Sequence, residues 1–200
     1  MTYYSETFPI ELAFKAMGPN AERWKQHLYG GKIKFLADAD NPQRLEHARP
    51  NGWGRGQKLQ LSIYAILQGA IALRAIDCGV EVERAYTIAE SVVWSGVGGM
   101  PGTSGKWGER LPGPAFKQGQ TWIAIAQYSG DDGDAADFLV VSDADPHFQD
   151  ENQSALQAME MHLPDAFGGS PFIAMRLNGI WEQIADALAL PLDDIREGLD

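Results

Sequence analysis

Of the side chains able to do chemistry, the cations of the first sixty residues are the most concentrated. Between residues 11 and 60 stand Lys15, Arg23, Lys25, Lys32, Lys34, Arg44, Arg49, Arg55 and Lys58. These nine face five acidic residues in the same span, Glu11, Glu22, Asp38, Asp40 and Glu46. The whole chain has a formal net charge of -11, and only five of its sixteen Lys and Arg residues follow residue 100. A local positive excess on an acidic chain fits a molecule that offers one surface to phosphates and keeps another for a different role.

Other reactive groups carry less. Asp131, Asp132 and Asp134 lack the D-x-[DN]-x-[DN]-G register of a calcium loop, and read as a solvated hairpin turn. His147 and His162 stand far apart in sequence, with Asp143, Asp145 and Asp150 near the first, and read as chance neighbours in an acidic stretch. Gly105-Lys106 resembles the end of a phosphate loop, but Met100 stands where its first glycine belongs and Trp107 replaces the Ser or Thr that would hold magnesium. There is no nucleophile elbow and no H-E-x-x-H. The single cysteine, Cys78, excludes an intramolecular disulfide and a multi-cysteine metal cage, and reads as a buried small apolar residue. The sequence therefore predicts no metal, no cofactor and no enzymatic activity.

The elements that would position the cations follow from periodicity. Ile10, Leu12, Ala13, Ala16 and Met17 make one face of a short helix, which Gly18-Pro19-Asn20 ends. Asn20 is a candidate N-cap for a second helix over 21–28, with Trp24 and Leu28 inward and Arg23, Lys25, Gln26 and His27 outward. Lys32–Leu36 and Lys58–Leu61 alternate basic and apolar residues and predict a β-hairpin wing, with Arg49, Arg55 and Lys58 as its phosphate contacts and Lys32 and Lys34 of its first strand as further DNA-binding candidates. Ser62 then caps a helix over 63–76 that Gly79 ends, and a fourth helix runs to about Val93 with Ala85, Ile88, Ala89 and Val92 inward.

Residues 95–120 hold eight glycines and three prolines and predict a linker. Beyond it, 121–128, 138–142 and 171–177 read as strands, with a helix capped by Asn178 running to Leu188. The expected fold class is α+β: an N-terminal winged helix-turn-helix over 1–94, with four helices and a hairpin wing, and a small C-terminal α+β domain over 121–200.

The run from Leu59 to Tyr86, strand into helix, Gly79, then Val80-Glu81-Val82-Glu83, resembles the wing-to-helix segment of MerR-type winged-helix domains. The resemblance covers roughly residues 8–94. It implies a sequence-specific transcriptional regulator of double-stranded DNA, with Arg23, Lys25 and His27 on the recognition helix and Arg55 and Lys58 on the wing. Two features depart from that family: no long coiled coil follows Val93, and there are no clustered cysteines. Dimerisation then falls to the C-terminal unit, and a homodimer is the expected assembly. Phage-type architectural factors, such as excisionases or small terminase subunits, share such winged helices, and a small ligand-binding protein or enzyme on a helical scaffold is the third alternative. No apolar run approaches the ~18–20 residues of a membrane span, and the N-terminal residues lack the pattern of a secretory signal. The expected compartment is the cytoplasm.

Overall fold

The computed structural model describes residues 7–33, 60–98, 121–130, 133–142 and 171–190. Within them the chain is mixed helix and sheet, with two small antiparallel sheets and five helices. The order is β1 (Thr7–Pro9), α1 (Ile10–Met17), α2 (Glu22–Tyr29), β2 (Gln60–Ser62), α3 (Ile63–Asp77), α4 (Val82–Gly98), β3 (Thr121–Gly130), β4 (Gly133–Ser142), β5 (Phe172–Arg176) and α5 (Leu177–Leu188).

α3 is the hub. Ile63, Ala65, Ile66, Leu67, Ala70, Ile71, Ala72, Leu73 and Ala75 are all buried, so the helix is apolar on nearly every side and others must surround it. Its N-terminus is capped as the sequence predicts, with the Ser62 hydroxyl accepting from the Ala65 amide at 3.3 Å. Its C-terminus closes by two bonds, Val80 N to Ala75 O at 3.0 Å and Gly79 N to Ile76 O at 2.9 Å. That closure needs a left-handed residue, and Gly79 supplies it at φ 96° without steric cost. Glu81 then caps α4, its carboxylate accepting from the amides of Glu83 and Arg84 at 3.1 and 3.0 Å. Those two bonds, the Arg84 one foremost, hold the Glu81 carboxyl below the usual range.

The small N-terminal sheet differs from the predicted wing. β2 pairs antiparallel with β1, Thr7 opposite Ser62 and Pro9 opposite Gln60, and β1 had no signal in the sequence beyond three residues ahead of a helix. Lys32 and Ile33 lie in no strand. Lys34, Arg49, Arg55 and Lys58 lie outside the described residues.

Other boundaries also move. Asn20 is not a cap: it takes φ 66°, a conformation asparagine tolerates well, and α2 begins two residues later. α4 runs on to Gly98, through four residues read as linker. A glycine in a helix costs only about 1 kcal/mol, and no proline intervenes before Pro101. β3 and β4 pair as far as Gly130 opposite Gly133, so Ser129 and Asp134, read as turn, are strand. Asn178 sits inside α5, its side chain accepting from the Thr121 amide at 2.6 Å, and so is not available to cap. Cys78, expected to be buried, is an exposed thiol, because it falls at the helix end where the chain turns outward.

β3 is the centre of the second sheet, flanked by β4 and β5. Its Ile123 and Ile125 lie opposite Met175 and Ile173 of β5. α5 packs on this sheet and also on α1 and α3. One hydrophobic cluster accordingly takes Trp24, Leu61 and Ile71 from the first half of the chain and Ile123, Trp181 and Ile184 from the second. No helix among the described residues is long and apolar enough to cross a membrane.

Candidate nucleic-acid interface

The deepest anchor of α2 is one side chain. Trp24 is fully buried, while Glu22, Gln26 and Tyr29 on the same helix are exposed. The indole meets the Phe14 ring of α1 edge-on, with centroids 6.2 Å apart. From α3 the backbone at Gly69 closes over it, where an added Cβ would stand 2.8 Å from the Met17 sulfur and 3.0 Å from Trp24 Cδ1. A helix of eight residues is too short to be stable alone, so it depends on this anchor and on its other tertiary contacts.

The far side of α2 follows from the anchor. Glu22, Gln26 and Tyr29 stand four and three residues apart and form one outward stripe. Tyr29 is 79% exposed, the larger of the two exposed large hydrophobic side chains among the described residues. Lys25 borders the stripe with its Nζ 5.1 Å from the centre of the Phe14 ring, near enough for cation–π attraction.

The third side of the helix faces the corner between α3 and α4. Arg23 is ion-paired with Asp77 at the end of α3. Lys32, just past the end of α2, pairs with Glu83 in the first turn of α4. Between them His27 Nδ1 is hydrogen-bonded to the Tyr86 hydroxyl at 3.0 Å, with the two rings edge-to-face. Partial burial and then the nearby Arg23 guanidinium hold His27 below its ordinary pKa, so the ring is neutral near pH 7. The hydrogen bond to Glu83, and then its charge, raises Lys32. Burial raises Tyr86.

Five of the sequence-predicted site residues are thus brought together around α2, and they divide by role. Lys25 and Gln26 belong to the outward side. Arg23, His27 and Lys32 tie α2 to its own protein, through partners 51 to 59 residues away. Sequence reasoning missed Tyr29, Asp77, Glu83 and Tyr86. Arg23 and His27 stand four apart, a hint that they share a face, but nothing in the sequence pairs that face with α4. Chemically, the outward stripe offers an amide that can pair with a base edge, a phenol that can meet a phosphate and a carboxylate that can accept from cytosine, and Lys25 at its border adds an ammonium.

Among the described residues, no group of three or more His, Cys, Asp or Glu could hold a metal ion. No family model matches the chain, and no curated protein matches it.

Proposed function

We propose that this protein is a sequence-specific double-stranded DNA-binding transcriptional regulator of MerR-like type, working in the cytoplasm as a homodimer. The observation that carries the reading is the exposed stripe Glu22, Gln26 and Tyr29 on a short helix whose opposite face is fixed by the buried Trp24. A helix enters a major groove only if it is rigidly mounted and its outer face is polar and open. Gln26 lies mid-stripe and reads a base edge; Lys25 and Tyr29 contact backbone phosphates. Arg23 and Lys32 are half-neutralised by Asp77 and Glu83, so α2 itself contributes little net charge. Most of the electrostatic affinity then comes from Lys34, Arg49, Arg55 and Lys58.

Fluorescence anisotropy on random and genomic duplexes at two salt concentrations tests this. Binding should weaken steeply with salt, and one duplex class should bind more tightly than the pool. Replacing Gln26 by Ala should cost about 1–3 kcal/mol on the preferred duplex and much less on the pool, because a base contact carries preference and a phosphate contact does not. A protein that binds no duplex even at low salt refutes the proposal.

A further inference from the structure

The turn between α1 and α2 is held by a helix from the other end of the chain. Gln183, on α5, sits where α5 crosses α1 and α3. Its Nε2 donates to the Ala16 carbonyl at 3.0 Å, and its Oε1 accepts from Arg74 Nη2. Arg74, on α3, also donates through Nη1 to the Ala70 carbonyl at 3.0 Å and, more loosely, to the Met17 carbonyl at 3.5 Å. The last carbonyls of any helix lack partners within the helix. Those of α1 at Ala16 and Met17 find theirs on α5 and α3.

The next residue tightens the arrangement. Gly18 takes φ 101°, and a Cβ there would lie 2.8 Å from Gln183 Nε2. The amide of α5 therefore occupies the space in front of the turn that any larger residue would need. α5 is itself tied to the second sheet, since Asn178 in its first turn accepts from the Thr121 amide that opens β3. A continuous line of hydrogen-bonded and packed groups runs from β3 through α5 to the turn, and from the turn to α2.

We propose that Gln183 is a positioning residue for α2, clamping the α1–α2 turn so that the placement of α5 sets the placement of the exposed stripe. For its functional consequence the proposal rests on the reading of α2 as a DNA interface; the clamp itself does not. A side chain that merely filled space at a helix crossing would need no amide, and an apolar residue would serve better. Here both ends of the amide are used, one on each of two different elements.

Hydrogen exchange followed by mass spectrometry on the full chain is the test, with duplex anisotropy run alongside. Gln183→Met keeps the length and bulk of the side chain and removes its polar group; Gln183→Ala removes both. In both variants, exchange in peptides covering residues 16–24 should quicken about tenfold, the effect of losing roughly 1.4 kcal/mol of hydrogen bonding. Peptides from α4 and β3 should keep their rates. Affinity for the preferred duplex should fall about three- to tenfold. Unchanged exchange at 16–24 in Gln183→Met, or a rise spread equally over α4 and β3, overturns the clamp. If the wild-type protein binds no duplex while the exchange change stays local, the clamp holds and the interface reading is what fails.

Discussion

The imidazole of His27 sits where two influences oppose its charge, the partial burial against Tyr86 and the guanidinium of Arg23. Its proton is therefore held less tightly in the fold than in the unfolded chain, whose histidines titrate near 6.5. The unfolded state binds more protons in the interval between the two values, so stability falls as the pH drops from about 6.5 through the lowered value and then levels off for this group. Glu81 acts in a separate, more acidic window. Its carboxyl is depressed by the α4 amides, so its contribution is complete above the ordinary carboxylate range and is lost as pH falls through the lowered value. The thermal midpoint of the protein should accordingly drop more between pH 7.5 and 5.5 than that of His27→Gln, which can still reach the Tyr86 hydroxyl but does not titrate. Equal drops in the two proteins would show that His27 is not the group responsible. Of this arrangement the sequence shows only that Arg23 and His27 share a face; their partners lie across more than fifty residues of chain, and no local pattern encodes that distance.

At the scale of elements, what could be read ahead of the structure was what local chemistry controls. α3 has a hydroxyl cap at Ser62, an apolar body and a glycine stop at Gly79, and each forms as written. α4 begins where its acidic cap stands, but it runs on past Gly96 to Gly98, so its glycines do not end it where composition suggests. β1 is three residues long and exists because β2 lies beside it. The end of α5 offers the sharpest contrast with α3. It closes by the same two bonds, Leu190 N to Ala185 O at 2.9 Å and Ala189 N to Asp186 O at 3.2 Å, yet the left-handed position holds an alanine at φ 54°. A Cβ in that conformation costs roughly 1–2 kcal/mol, while glycine adds back part of this through the entropy of the unfolded chain. Ala189→Gly should therefore stabilise the protein by about 0.5–1 kcal/mol, read as a rise in the denaturant midpoint with an unchanged slope. A fall in the midpoint would mean that the alanine methyl makes contacts worth more than its strain.

At the scale of the whole molecule, composition divides the chain at a glycine-rich stretch, while packing joins what lies on either side. The two apolar faces that periodicity predicts, on α3 and on α5, are both present. That they meet each other could not be read from either pattern, because an apolar surface specifies that it will be buried and not against what. The consequence concerns cooperativity. Two units with independent cores would unfold in separate steps, as multi-domain chains commonly do. Here Trp24 from the first half and Trp181 from α5 belong to the same cluster, both essentially buried. Removing α5 from its place would expose Leu177, Ile180, Trp181 and Ile184, and would strip their contacts from α1 and α3. At about 1.5–3 kcal/mol for each large apolar side chain uncovered, that loss is comparable with the whole stability of a domain, about 5–15 kcal/mol. The described elements should then melt together. The chain holds six tryptophans, so the reporters are two variants, one keeping only Trp24 and one keeping only Trp181, with the other five replaced by Phe. The fluorescence of each, compared with far-ultraviolet circular dichroism during urea unfolding, should give coincident transitions in both variants. Transitions that separate, with the Trp181 signal lost ahead of the helical signal, would show that α5 leaves while α1 to α4 stay folded, and that the shared cluster is not what holds the two halves together.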